Sequence, residues 1–178
     1  MRSIASKRIL WLTETAALTA LLIILQAVTK PAGQYVTGSC VNAVLAVSAL
    51  TVGMASGVTV ALLSPFFAFL LGIGPQLLPI VPSIAVGNLV YVALLGLLAG
   101  GRELPVRRSG AALAAAAVCK FVVLYLLVVK VLCAVLPLKA PQIAAFTVMF
   151  SYPQLITALA GGAVGLLLAP ALRRALKR

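Results

Sequence analysis

The sequence contains no histidine and only two acidic residues, Glu14 and Glu103. General bases, paired carboxylates and metal ligands are therefore scarce, and no nucleophile stands beside a base. This composition excludes a catalytic triad, a carboxylate pair and a metal centre. We expect a protein that is not an enzyme and that needs no metal or other cofactor.

Two further absences narrow the possible functions. The cysteines, Cys40, Cys119 and Cys133, lie in apolar segments without Cys-x-x-Cys spacing, so neither a zinc site nor a disulfide framework is predicted. The chain also lacks a glycine-rich phosphate loop followed by Lys-Ser or Lys-Thr, the motif by which P-loop proteins hold nucleotides. Uphill transport would have to draw energy from a partner or an ion gradient.

What the chain has in abundance is apolar surface. Its 178 residues are 63% hydrophobic, with a mean hydropathy of +1.21, whereas soluble domains are about 45–50% apolar. The length suits one membrane domain, residues 1–178, because each helical span uses about 20 residues. The net charge of +12 resides in short clusters between apolar runs and not on a basic face with interleaved aromatic residues, so we expect no nucleic-acid partner.

Apolar runs separated by glycine and proline predict an all-α bundle of six transmembrane helices. The positively charged start leads into a long apolar run, which we interpret as a retained first helix and not as a signal peptide. The predicted spans are 9–28, 38–56, 58–74, 81–100, 110–136 and 142–170.

The basic residues outside these spans predict the orientation. Ten cations lie on the two termini and the fourth connection, whereas the opposite loops contain only Lys30 and Lys139. By the positive-inside rule, both termini should be cytoplasmic. The ten cations are Arg2, Lys7, Arg8, Arg102, Arg107, Arg108, Arg173, Arg174, Lys177 and Arg178.

Polar side chains inside a span need partners or a wet cavity, so they are candidates for function. Several of them fall in the central or outer part of the predicted bundle and predict a substrate pocket open to the outside. Alternatively, the amides in the spans only tie helices together, since such hydrogen bonds contribute about 0.6–2 kcal/mol each. The predicted pocket residues are Gln34, Tyr35, Asn42, Asn88, Lys120 and Gln154.

Lys120 differs from the amides because it falls near mid-membrane and no acid is well placed to neutralise it. Glu14 is predicted near the cytoplasmic end of the first span, and Glu103 lies in a loop. A buried ammonium without a counter-charge either loses its proton or binds an anion. We therefore expect an anionic or strongly hydrogen-bond-accepting substrate with Lys120 as its partner.

Ala16 and Ala20 lie one helical turn apart on the first helix. Such a small-xxx-small pair lets another helix approach closely. The pattern fits either the docking of a partner protein or packing within the bundle.

Several short motifs follow one another along most of the chain. They are Gly33-Gln34-Tyr35-Val36-Thr37-Gly38-Ser39 with Val41-Asn42-Ala43, Ser64-Pro65-Phe66 with Gly72, Pro79 to Pro82 leading into Gly87-Asn88, the lysine of the fifth span, and Pro153-Gln154-Leu155-Ile156-Thr157-Ala158. Together with the length, the six spans and the orientation, this series resembles the substrate-specific S-components of energy-coupling factor transporters.

The resemblance implies a multi-pass protein of the bacterial cytoplasmic membrane that captures a vitamin or related micronutrient from outside. S-components of this family associate with a membrane coupling subunit and two cytoplasmic ATPases, and are thought to topple in the membrane to release substrate inward. The family's docking signature, Ala-x-x-x-Ala on the first helix, maps onto Ala16 and Ala20. The family's ligand sites vary between members, so the resemblance places the four polar residues of the spans only in the usual pocket region.

Two alternatives stay open. The first is a self-sufficient secondary transporter coupled to an ion gradient. The predicted spans contain no acidic relay beyond Glu14, which argues against this alternative. The second is an accessory membrane subunit without a ligand, in which the amides serve packing alone.

Overall fold

The structure, a computed structural model, describes residues 4–100 and 105–176. Within these ranges the chain is helical and contains no strand. Of the residues used to predict the orientation, Arg2, Arg102, Lys177 and Arg178 lie outside the described ranges, as does the acid Glu103. The helices are α1 (Ile4–Ala32), α2 (Gln34–Val52), α3 (Met54–Leu70), α4 (Ile80–Ala99), α5 (Val106–Val135), α6 (Ala140–Met149) and α7 (Tyr152–Ala175).

Five apolar segments of the described chain are long enough to cross a membrane: α1, α2, α4, α5, and the segment Ala140–Ala175 that contains α6 and α7. The remaining predicted span, the third of the six, corresponds to α3, an apolar helix of 17 residues. At about 1.5 Å per residue it extends about 26 Å, slightly less than the roughly 30 Å of a bilayer core. The predicted all-α, multi-pass membrane character is therefore confirmed.

The third predicted span, 58–74, is displaced in the structure. Gly53 has a φ of 124° and Gly72 a φ of 67°, a backbone region that glycine adopts more readily than other residues. Gly53 separates α2 from α3, and Gly72 lies just past the end of α3. Helix α3 therefore begins at Met54 and ends at Leu70. The sequence prediction placed both boundaries four residues too late.

The last predicted span, 142–170, is interrupted at Phe150 and Ser151. Pro153 follows this interruption in the first turn of α7. Proline has no backbone N–H and its ring clashes with the carbonyl four residues earlier, so Pro153 favours a helix start and a break before it. The break creates a kink whose backbone carbonyls are available to side chains.

Helices α2 and α7 lie side by side along much of their length. A Cβ atom placed on Gly161 would collide with the carbonyl oxygen of Ser39, and one on Gly165 would come within 2.5 Å of the Ala46 Cβ. Small residues at such positions allow two membrane helices to approach closely. This contact brings Asn42 of α2 next to Thr157 of α7, 3.4 Å between Nδ2 and Oγ1.

Side-chain hydrogen bonds show which helix ends lie together. Thr15 of α1 donates to Ser56 near the start of α3 at 2.8 Å, and the Ser56 and Ser48 hydroxyls lie 3.0 Å apart. Arg173 Nε of α7 donates to the Leu50 carbonyl near the end of α2 at 2.8 Å. We call this end of the bundle the basic end, because its helix termini contain Lys7, Arg8, Arg107, Arg108, Arg173 and Arg174.

Replacement of Gly161 by alanine tests the close packing of α2 against α7. The added methyl group would meet the Ser39 carbonyl and the Asn42 side chain, so we expect Gly161→Ala to lower the free energy of unfolding by about 1–3 kcal/mol. Unfolding in detergent micelles measures it. Gly110→Ala is the control, because a Cβ there meets open space, and it should be neutral or stabilise by up to about 1 kcal/mol. Equal stability of the two variants would contradict this packing.

Candidate functional site

A cavity of about 360 Å³ lies among the helices, in the half of the bundle away from the basic end. The first connection, the α3–α4 connection and the break between α6 and α7 all contribute to its lining. Its volume falls in the lower part of the roughly 300–1,000 Å³ range of small-molecule sites. Its polar lining residues are Gln26, Lys30, Gln34, Thr37, Asn42, Ser64, Asn88, Lys120 and Gln154.

Lys120 of α5 forms the centre of the polar part of the cavity. Its side chain is 2% exposed, and its Nζ donates to Asn42 Oδ1 at 2.6 Å and to Asn88 Oδ1 at 2.7 Å. These two bonds tie α5 to α2 and α4. Lys120 is therefore hydrogen-bonded, but both of these partners are neutral amides that supply no counter-charge.

The orientation of the Asn42 amide is fixed by its other contacts. Its Nδ2 donates to the Gly38 carbonyl at 2.9 Å and to Thr157 Oγ1 at 3.4 Å. Because the nitrogen faces these acceptors, the oxygen is left to face the lysine. Packing of α2 against α7 thus aims an acceptor at Lys120.

The aromatic ring of Tyr91 on α4 contacts the amino group of Lys120. Lys120 Nζ lies 5.2 Å from the ring centroid, within the range of a cation–π interaction. The phenol is fully buried and donates to the Ala158 carbonyl at 2.9 Å, which holds the ring in place. Tyr91 was missed in the sequence, although it follows Asn88 by three residues and so shares its helix face.

The polar end of the cavity offers donors to a bound molecule. An ammonium has three N–H donors, of which the two asparagine oxygens take two. Asn88 Nδ2 makes no hydrogen bond to any residue of the described ranges, and both Asn88 and Lys120 line the cavity. The lining contains Lys30 and Lys120 and no acidic residue. This end can therefore hold an anion or a strong acceptor.

Gln34 and Gln154 converge on the break between α6 and α7. Gln34 Nε2 donates to the Met149 carbonyl at 2.5 Å, and Gln154 Nε2 donates to the same oxygen at 3.1 Å. Near the first connection, Lys30 Nζ donates to the Gly72 carbonyl at 2.7 Å. These bonds link the connecting segments that contribute to the lining of the cavity.

The structure brings five of the six predicted pocket residues into one cavity: Gln34, Asn42, Asn88, Lys120 and Gln154. The sixth, Tyr35, does not line it, and its side chain is 47% exposed on the outside of the bundle. Tyr35 lies outside the stripe of α2 that lines the cavity, which consists of Gln34, Thr37, Gly38, Val41 and Asn42.

Gln26 and Ser64 also line the cavity and were not among the predicted pocket residues. Gln26 Oε1 and Ser64 Oγ are buried and have no hydrogen-bond partner among the described residues. The available signal was their polar character within predicted spans, which does not say which face of a helix they occupy. Apolar walls lie nearby, including Pro65, Phe69 and Ile84.

Ala16 and Ala20 lie on α1 and are exposed on the surface of the chain. The buried residues of α1 are Thr15, Thr19 and Leu22, on a different face. No helix of the described residues covers the two alanines, so they are free to meet lipid or another protein.

Within residues 4–100 and 105–176, no three side chains of histidine, cysteine, aspartate or glutamate come together where they could hold a metal ion.

Comparisons with protein-family models, with curated proteins and with solved structures find no match to this chain.

Proposed function

We propose that this chain is the substrate-binding subunit of an importer of the energy-coupling factor type. It captures a small, anionic, vitamin-like molecule from outside and delivers it inward when docked to a membrane coupling subunit and two ATPases. The observation that carries the proposal is the cavity of about 360 Å³ with a buried lysine at its polar end. The order of motifs along the sequence supports the family.

In this proposal the chain crosses the bacterial cytoplasmic membrane six times, with both termini cytoplasmic. Support for α3 as a crossing helix comes from its contacts, since it packs against both α1 and α4. Met54 at its start lies beside Gly96 near the end of α4, as expected for antiparallel neighbours. The basic end then faces the cytoplasm, and the cavity opens toward the outside.

The charge of the substrate follows from the charge of the cavity. Taking an ammonium out of water costs several kcal/mol unless it is well paired, and two neutral amides compensate it only in part. A carboxylate or phosphate near Lys120 would supply the missing negative charge. Lys30, which also lines the cavity, adds a second positive charge that attracts anions toward the site.

Energy for uptake has to come from outside this chain. The sequence has no P-loop, so ATP hydrolysis is assigned to partner subunits. The exposed Ala16 and Ala20 are the proposed docking face for the coupling subunit, because small residues allow close helix approach. Both lie near the middle of α1 (Ile4–Ala32), on a face that another membrane helix can reach.

Reconstitution in liposomes tests the proposed division of labour. The chain alone should neither hydrolyse ATP nor accumulate the ligand that mass spectrometry identifies on the purified protein. With the coupling subunit and two ATPases, accumulation should depend on ATP. Gradient-driven accumulation by the single chain would instead establish a secondary transporter, and a chain that binds no ligand would be an accessory subunit.

Bulky substitutions test the docking face. Ala16→Trp and Ala20→Trp should abolish uptake by the full complex and weaken capture of the coupling subunit, because a large side chain keeps the partner helix away. Ligand affinity should stay unchanged, since both alanines are exposed and neither lines the cavity. Ala163→Trp is the control, because Ala163 is also exposed but lies on α7. Normal uptake by both α1 variants would place the docking face elsewhere.

A further inference from the structure

The cavity has a second polar region that the proposed function does not use. Gln26 Oε1 and Ser64 Oγ are buried without a hydrogen-bond partner in the described part of the chain, and Ser64 is only 1% exposed. Both residues line the cavity. Buried polar atoms in native proteins are nearly always paired, so an unpaired one needs an explanation.

Ser64 differs from five threonines in the helices of this chain. A serine or threonine inside a helix commonly bonds back to the carbonyl four residues earlier. Thr15, Thr19, Thr51, Thr59 and Thr147 all do so at 2.7–2.9 Å. Ser64 makes no such bond, so its hydroxyl remains available to a molecule in the cavity.

The two polar regions belong to different walls. Gln26 and Ser64 lie on α1 and α3, which pack against each other, whereas Lys120 lies on α5, which packs against α4 and α7. The Lys120 wall presents donors, and Gln26 Oε1 presents an acceptor on the wall formed by α1 and α3. Apolar side chains of the lining, among them Pro65 and Phe69, complete the cavity.

The volume limits the size of the occupant. A cavity of about 360 Å³ lies near the lower end of the roughly 300–1,000 Å³ range of small-molecule sites. The occupant that contacts both polar regions is therefore a small molecule.

We infer that the substrate is a small bifunctional acid: an anionic group binds at Lys120 and Asn88, and a hydroxyl or N–H donor at the other end binds Gln26 and Ser64. This inference rests on the proposed function and specifies its substrate class. The two ends make the site selective, because a site built to hydrogen-bond a substrate group rejects the analogue that lacks it. Plain acids and neutral alcohols each satisfy only one end.

A matched probe series separates the two ends. It contains short ω-hydroxycarboxylates of increasing chain length, the plain carboxylates of equal length, and the matching ω-hydroxyamides, which lack the charge. Binding to the purified full chain in detergent is measured by calorimetry. In the wild type, removing the hydroxyl or neutralising the carboxylate should each weaken binding of the best-fitting length by at least about tenfold.

Substitutions in each polar region test which residues cause the preference for the hydroxyl and which cause the preference for the carboxylate. Gln26→Leu and Ser64→Ala should reduce the preference for the hydroxyl while keeping the preference for the carboxylate, and Lys120→Met should do the reverse. Ser39→Ala is the matched control for Ser64→Ala, because the Ser39 hydroxyl donates to the Tyr35 carbonyl and Ser39 is not part of the cavity lining. It should leave both preferences unchanged.

Each outcome distinguishes this inference from the proposed function. If the wild type prefers carboxylates but ignores the hydroxyl, the bifunctional substrate is wrong and anion capture survives. A hydroxyl preference that persists in both Gln26→Leu and Ser64→Ala also overturns the assignment of the second polar end. If no probe binds the wild type, or none of the carboxylates binds better than its amide, both proposals fail.

Discussion

The hydrogen bonds from the Lys120 ammonium to the Asn42 and Asn88 oxygens are the interaction on which the rest of this structure depends. Helices in lipid gain little from hydrophobic association, because the tails around them are as apolar as their own side chains. A buried cation in such a bundle is tolerated only where acceptors reach it. Three helices must therefore hold fixed positions relative to one another, and the cavity forms where they do.

The remaining features of the bundle serve this arrangement. Glycines let α7 approach α2 closely enough for Thr157 and Gly38 to orient Asn42. The Tyr91 phenol, anchored on the Ala158 carbonyl, holds its ring beside the ammonium. Polar links at the basic end join α1, α2 and α3 through Thr15, Ser48 and Ser56, leaving the other half of the bundle open for a cavity.

Much of this organisation can be predicted from the sequence, because apolar runs separated by glycine and proline indicate which segments lie in a membrane. They predicted the all-α class and the approximate helix centres, and they selected Lys120 as the unusual charge. They did not place the start of α3, which depends on the backbone of Gly53. Nor did they predict which side chains face inward: Tyr35 turns outward, whereas Gln26 and Ser64 turn toward the cavity, because rotation about a helix axis is set by packing between helices.

The most direct measurement is the affinity of the ligand that co-purifies with the wild-type protein, compared among wild type, Lys120→Met and Lys130→Met. Truncating one partner of a buried charged pair typically costs about 2–5 kcal/mol, so Lys120→Met should weaken binding by at least about tenfold. Lys130 is exposed and its Nζ lies 5.6 Å from the Tyr125 ring centroid, so Lys130→Met should have little effect. Equal affinity in all three proteins, or a ligand without an anionic or acceptor group, would contradict the role assigned to Lys120.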